Sequence, residues 1–317
     1  MELDYEAVSR DLVRSLRGER SQTAFARRLG YRSNAVYTWE SGRRWPTASV
    51  FLWAASRVGV DVDAALRGFL RDATFLDGVD PTSPAGVAAM LSDLRGDAPV
   101  GAVAARAGRS RFAVSRWLKG QSEPRLPDLL RMIDATSLRL LDFVARFADP
   151  GALPSTGEAW TRLQAARALA WSSPWAQVVL LALELEPYRA LPAHDSGWLA
   201  ARIGIPAAEV DVSLTALVHA GQVVFGDGRF APVSVSAVDV RGSTRDLKRF
   251  WVETSLQKLV ADAPGMWSYN VFAVSETDLH RLEEMQRAHY RAIRSLVAES
   301  APAERVVLVH LQTIPLV

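Results

Sequence analysis

Apolar residues near the start of the chain recur at intervals of three and four. Val8, Leu12, Val13 and Leu16 make one stripe, which predicts an amphipathic helix from about Tyr5 to Gly18. Ser21 can cap a second helix whose inner side carries Phe25, Ala26 and Leu29. Gly30 follows where that helix must stop and turn, because glycine takes a positive φ without steric cost. Ala35, Val36 and Trp39 then form the inner face of a third, short helix ended by Gly42. Pro46 stands near the start of a fourth helix holding Val50, Phe51 and Ala54, and Val62, Leu66 and Leu70 outline a fifth.

The chain then repeats itself. QTAFARRLGYRSNAVYTWESGRRWP, residues 22–46, lies over VGAVAARAGRSRFAVSRWLKGQSEP, residues 100–124, at an offset of 78. The shared positions are Ala24/Ala102, Ala26/Ala104, Arg28/Arg106, Gly30/Gly108, Ala35/Ala113, Val36/Val114, Trp39/Trp117, Gly42/Gly120 and Pro46/Pro124. Two proline- and glycine-rich breaks, GVDPTSPAG at 78–86 and FADPGALPSTGE at 147–158, read as a joint between the copies and a linker after them.

Beyond the second break, the pattern predicts helices at about 158–171 and 173–187, the latter (WAQVVLLALEL) apolar enough to be buried. Residues 198–233 have the layout of a winged helix. Leu199, Ala200 and Ile203 lead into a turn at Gly204, and Val210, Leu214 and Leu217 line the next helix. QVVF and RFAPV around Gly226, Asp227 and Gly228 then read as a two-stranded hairpin. A helix at about 244–261 follows, with Leu247, Phe250, Trp251 and Leu256. WSYNVFAV, 267–274, alternates like a strand, and Ser275 with Asp278 opens a long helix striped by Leu279, Leu282, Met285, Ile293 and Leu296. The β-branched ERVVLVHLQTIPLV reads as a closing strand.

The expected fold is therefore mainly α with a smaller α/β C-terminal part. It comprises two helix-turn-helix domains at 1–76 and 82–148, a winged-helix-like domain at 157–240, and a β-α-β dimerisation or regulatory domain at 241–317.

Charge sharpens the picture. The net charge is only +2, but no acid falls between Ala98 and Ser122, where Arg106, Arg109, Arg111, Arg116 and Lys119 lie. Between Arg27 and Arg44 the sole acid is Glu40, against Arg27, Arg28, Arg32, Arg43 and Arg44. Two basic patches at equivalent places in a repeat suit a polyanion; solvated arginine-rich faces are the bland alternative.

Gln22, Ala26, Gly30, Val36, Trp39, Glu40, Gly42 and Pro46 stand at the spacing of Xre/Cro-type DNA-binding domains, which the first 70 or so residues resemble. The second copy keeps Ala104, Gly108, Val114, Trp117, Gly120 and Pro124, but has Val100 for Gln22 and Leu118 for Glu40. The resemblance implies a third helix lying in a major groove with its leading residues at base edges. In the first copy these are Ser33, Asn34, Tyr37 and Thr38, with Asn34 suited to an adenine edge, and Arg28, Arg32, Arg43 and Arg44 suited to phosphates. Gln22 would bond a phosphate or brace Asn34, and its loss in the second copy weakens the case for base or phosphate positioning there. The second copy offers Arg109, Ser110, Arg111, Phe112, Ser115 and Arg116, with Arg111 or Arg116 fit for a guanine and Lys119 and Gln121 towards the backbone. Trp39 and Trp117 fall on the apolar stripe and read as core wedges, while Tyr37 stays open between core and contact.

The winged-helix-like segment is not read as a third reader, because Glu209 and Asp211 at the front of its second helix would repel phosphates. From about 158 to the end, the layout, with its Ile314-Pro315-Leu316 ending, resembles an uncharacterised bacterial family that carries no known activity. A strand at the chain end suits a subunit joint, so a homodimer is expected.

Other chemistry finds little support. The chain has no cysteine, and its five histidines, His194, His219, His280, His289 and His310, lack metal-ligand spacing. No phosphate-loop or nucleophile-elbow motif is present, so neither catalysis nor a cofactor or metal is expected. No run of about 18 apolar residues suggests a membrane span, and the acidic N-terminus argues against a secretory signal. The expectation is a cytoplasmic, nucleoid-associated transcriptional regulator that binds double-stranded DNA, with an unidentified small-molecule or protein effector. Repression by promoter occlusion is the commoner outcome of such a layout. The competing expectation is a protein-interaction adaptor that has turned the same fold to protein contacts.

Overall fold

A computed structural model describes residues 3–70, 76–233 and 245–316. It is mainly helical, and the sheet among the described residues is a single two-stranded hairpin. The chain divides into two compact units, residues 1–161 and 162–317.

The first unit is built from the repeat. Its helices are α1 (Tyr5–Arg17), α2 (Gln22–Arg28), α3 (Ala35–Glu40), α4 (Ala48–Arg57) and α5 (Val62–Leu70), then α6 (Pro84–Arg95), α7 (Val100–Arg106), α8 (Arg111–Leu118), α9 (Leu126–Ser137) and α10 (Leu140–Val144). The offset of 78 that aligns the sequences also aligns the backbone. Gly18, Gly30 and Gly42 have positive φ, and so do Gly96, Gly108 and Gly120. The turn after Gly30 is closed by Tyr31 N–H donating to the Ala26 carbonyl, and its counterpart by Arg109 N–H donating to that of Ala104, both at 2.9 Å. The helix starts follow their capping residues: Ser21 accepts from Ala24 N–H, Thr47 from Val50 N–H and Ser83 from Gly86 N–H.

The two copies are not separate bodies on a string. Val8, Leu12, Phe25, Trp39 and Leu52 of the first copy belong to one buried cluster with Met90, Leu91, Trp117, Leu130 and Ile133 of the second. Helix α1 packs on α9, and α4 packs on α6, its equivalent exchange. Between the copies, Leu126 N–H donates to the Pro46 carbonyl at 2.9 Å and Ala48 N–H to the Pro124 carbonyl at 3.0 Å. These bonds flank an antiparallel bridge between Thr47 and Arg125. Residue 47 plus 78 is 125, so each copy gives the other the contact it receives. The Tyr5 hydroxyl adds a 2.7 Å bond to the Asp134 carboxylate across the same seam, and Arg131 lies over the Tyr5 ring. Phe51, Phe147, Phe143 and Phe69 form a run of edge-on and tilted rings that ties α4, α5 and α10 together.

The expected linker at 147–158 also folds onto this unit. Phe147, Leu153 and Thr156 are buried, Pro150–Ala152 form a 3-10 turn, and Ser155 N–H donates to Asp11 at 3.0 Å. Its apolar side chains have a core to join, so its proline and glycine shape turns instead of leaving open chain.

The second unit contains most of α11 (Gly157–Ser172), then α12 (Pro174–Ala182), the single turn α13 (Glu186–Arg189), α14 (Ser196–Ile203) and α15 (Ala207–His219). Strands β1 (Val223–Gly226) and β2 (Arg229–Pro232) follow, then α16 (Arg245–Val260) and α17 (Glu276–Glu299). Its core gathers Val179, Leu180, Leu183 and Tyr188 with Leu199, Val210, Leu214, Leu217 and Val223. The predicted apolar helix at 173–187 breaks after Ala182, and its remaining apolar residues, Leu183 and Leu185, stay buried in the turn that follows. The hairpin pairs Phe225 with Phe230 and turns through Asp227 and Gly228, both at positive φ.

The β-α-β tail is not formed. Residues 267–274 and 304–316 belong to no strand, and among the described residues the sheet consists of β1 and β2 alone. A strand is stable when a neighbour satisfies its N–H and C=O groups, and neither segment has one here. Val306 packs against the core of this unit, but the other apolar side chains stand out: Tyr269 is 90% exposed, and Val271, Phe272, Val307, Leu308 and Ile314 are exposed as well. Helix α17 is capped as expected, with Ser275 accepting from Asp278 N–H, but Met285 and Leu296 of its stripe are exposed. Residues 234–240 of the winged-helix-like segment and the first residues of the expected tail lie outside the described residues.

Candidate nucleic-acid interface

Each copy shows solvent the outer side of its third helix, because the inner side is fully used. Val36 and Trp39 of α3, and Val114 and Trp117 of α8, are buried. Trp39 also meets Tyr31 edge-on at 5.5 Å, which makes it a core wedge. What remains outward on the first copy is Arg32, Ser33, Asn34, Tyr37, Arg43 and Arg44, all exposed, with Thr38 half-buried. Tyr37 is 44% exposed, and the Arg43 guanidinium sits 5.3 Å from its ring centroid, an arrangement that holds both at the surface. Thr38 turns its hydroxyl back onto the Ala35 carbonyl at 2.7 Å.

Asn34 has a local task that spacing alone does not reveal. It is the N-cap of α3, its Oδ1 accepting from Tyr37 N–H at 3.1 Å. A bidentate adenine contact needs both ends of the amide. Oδ1 keeps one lone pair beside its bond to Tyr37 N–H, so such a contact would ask it to accept twice while Nδ2 donates.

Three other expected contact residues bond groups of the protein itself. Gln22 Nε2 donates to Glu40 at 2.8 Å, not to Asn34. Glu40 is buried, and also accepts from Arg17 Nε at 2.6 Å. Arg28 donates through Nε and a terminal nitrogen to the Arg57 carbonyl, closing the end of α4. Arg109 pairs with Asp128 at 2.5 Å and donates to the Gly108 carbonyl.

The fate of Gln22 also changes the reading of the second copy. Val100 and Leu118 replace two groups that bond each other in the first copy, and both pack against the core. The two substitutions remove a polar contact and put core-packed apolar side chains in its place.

On the second copy Ser110 caps α8 by accepting from Ala113 N–H at 3.2 Å. Helix α8 thus starts two residues earlier, relative to the repeat, than α3 does. Arg111 and Phe112 occupy its first turn, and Phe112 is 84% exposed. Arg111, Arg116 and Lys119 are exposed along the same helix and its end, with Ser115 half-buried between them. Phe112 is expected at this helix front, though without a role of its own. Its signal was present: position 112 falls off the Ala113, Val114, Trp117 stripe.

The third candidate front, on α15, differs. Glu209 is half-buried and Asp211 exposed there, and Asp211 accepts from the Ser196 hydroxyl, which lies 2.8 Å from His194 Nε2. His194 Nδ1 is 3.0 Å from the Tyr188 hydroxyl, which also accepts from Phe230 N–H. This chain of bonds pins the hairpin to α13, α14 and α15. Burial lowers the His194 pKa from its ordinary value, opposed by the charges of Asp211 and Asp195.

No group of three or more metal-ligating side chains occurs among the described residues, and no described helix is long and apolar enough to cross a membrane. No protein-family model matches the chain, and neither a curated protein nor a solved structure matches it.

Proposed function

We propose that the chain is a sequence-specific DNA-binding transcriptional regulator, a repressor in its simplest action, in which both helix-turn-helix units of the first unit read the major groove. One observation carries the reading. Two short helices of equivalent build present Arg32, Arg43 and Arg44, and Arg111, Arg116 and Lys119, outward on faces whose apolar sides are fully buried. Guanidinium groups set beside short polar residues supply phosphate grip and base-edge donors together. The α14–α15 pair with its hairpin, winged-helix-like in layout, serves partner contact or structure, since Glu209 and Asp211 front it.

The chain acts as a homodimer through its C-terminal stretch. The exposed apolar residues of 266–274 and 307–316 form the kind of surface that marks an interaction site. The first half of the α17 sequence has Glu276, Asp278, Glu283 and Glu284 against Arg281 and Arg287, a net of −2, and its second half has Arg291 and Arg294 against Glu299, a net of +1. Antiparallel pairing of two copies brings unlike halves together.

The deciding experiment is retardation of duplex DNA across a salt series. Binding through several phosphates must weaken steeply, with log K falling by about 0.9 per neutralised phosphate per log unit of salt. A flat response, or no retardation of any duplex, would favour the adaptor reading instead.

A further inference from the structure

We infer that the first unit is a single-chain counterpart of a two-fold dimer, and that its target is one duplex bearing two unlike half-sites about one helical turn apart. The inference rests on the DNA-binding reading above and deepens it by naming the shape of the target.

Its ground is the reciprocity of the seam. The bond from Leu126 N–H to the Pro46 carbonyl becomes the bond from Ala48 N–H to the Pro124 carbonyl when the copies are exchanged. The bridged pair Thr47 and Arg125 are each other's equivalents. So are Gly68 and Arg146, whose guanidinium donates to the Gly68 carbonyl at 2.8 Å. Contacts in which i meets j while the counterparts meet in return define an isologous, two-fold interface. Exchange of the copies across this seam carries α3 onto α8, the relation that the recognition helices of a symmetric dimer have. The shared core holds that relation; the joint at 78–86 does not have to.

The symmetry stops at the side chains. The front of α3 offers Ser33, Asn34 and Tyr37, which are uncharged, where α8 offers Arg111, Phe112 and Ser115. Arginine fits the O6 and N7 of guanine, and an exposed phenylalanine fits a thymine methyl, so the half facing α8 carries guanine with a neighbouring thymine. The grip is unequal as well: Arg43 and Arg44 stand where the second copy has Gln121 and Ser122. A homodimer must read identical halves, whereas a duplicated chain is free of that constraint.

The test is selection of duplexes from a random pool by the full-length chain, followed by spacer and side-chain variants. The expected motif has two unlike halves with centres about 10.5 base pairs apart. Inserting about five base pairs between them turns one half to the far side of the duplex and should weaken binding at least about tenfold. Arg111→Ala with Arg116→Ala should relax preference in one half only, and Asn34→Ser with Tyr37→Phe in the other only. Pairing through the C-terminal stretch would make the element recur, each copy still asymmetric. Two identical halves, a motif confined to one half, or an insertion tolerated within about twofold would overturn the inference while leaving DNA binding intact. Failure to retain any duplex would refute the DNA reading itself.

Discussion

Replacing Gln22 and Glu40 by the residues of the second copy separates a structural role from a DNA-contacting one. Glu40 is 6% exposed and accepts from Arg17 Nε at 2.6 Å and Gln22 Nε2 at 2.8 Å. Glu40→Leu alone strips the acceptor from both. Removing one partner of a fully buried pair costs about 3–5 kcal/mol. Here Arg17 keeps 22% side-chain exposure and its bonds to the Gly18 and Arg20 carbonyls, so about 2 kcal/mol is expected. Gln22→Val alone removes one hydrogen bond to a charged acceptor, worth about 1.5 kcal/mol. The double variant reproduces the apolar pair Val100 and Leu118, so its loss should fall short of the two single losses by about 1 kcal/mol. Native-state hydrogen exchange of the α1 and α3 amides in the full chain reads these values directly. Losses that add within about 0.4 kcal/mol would refute the contact's role as a unit. DNA affinity of the double variant should stay near that of the parent. A drop of tenfold or more (about 1.4 kcal/mol) at recovered stability would return Gln22 to the interface.

Asn34→Ser should keep the α3 cap and stability while shifting base preference, whereas Asn34→Ala should also cost about 1 kcal/mol of stability, as thermal unfolding of the two variants will show. Joint replacement of Arg32, Arg43 and Arg44 by alanine should weaken binding on every sequence and flatten the salt dependence by up to about 2.7 log units per log unit, read by retardation assays. Tyr5→Phe removes the bond onto Asp134, whose pKa burial raises, and should cost about 2 kcal/mol at neutral pH. That loss should shrink in acid, where the carboxyl is protonated in either variant; an equal loss at both pH values would contradict it. The His194 pKa is lower in the folded chain, so the unfolded chain binds more protons just below about pH 6.5. The hairpin's stability is full above that value and declines as the pH falls through it, and its amide exchange should speed up accordingly. Leu308→Asp should convert a dimer to a monomer in sedimentation; an unchanged mass would exclude that segment from the subunit contact.

Helix after helix in the first unit was legible because each obeys local rules. The stripe of Val8, Leu12, Val13 and Leu16, the cap at Ser21, and the turns at Gly30 and Gly42 involve residues a few positions apart. The hairpin around Asp227 and Gly228 was legible for the same reason. Site assignment was less so. Arg28, Arg109 and Gln22 look alike in sequence to arginines and glutamines that face water, and their partners, the Arg57 carbonyl, Asp128 and Glu40, lie 18 to 29 positions away. The strands expected at 267–274 and 304–317 failed because β-propensity describes a side chain's fit to a sheet but supplies no neighbour to pair with.

Sequence alone determined that the chain says one thing twice, that each saying is a set of short helices around a tryptophan, and that arginine gathers on both. Only the tertiary structure decided that the two copies face each other across a reciprocal seam, which arginines remain outside, and that the apolar C-terminal segments stay uncovered. The physical reason is range. Helix, cap and turn are settled by neighbours along the chain, whereas seams, ion pairs and sheet edges depend on which distant segments the shared core brings together.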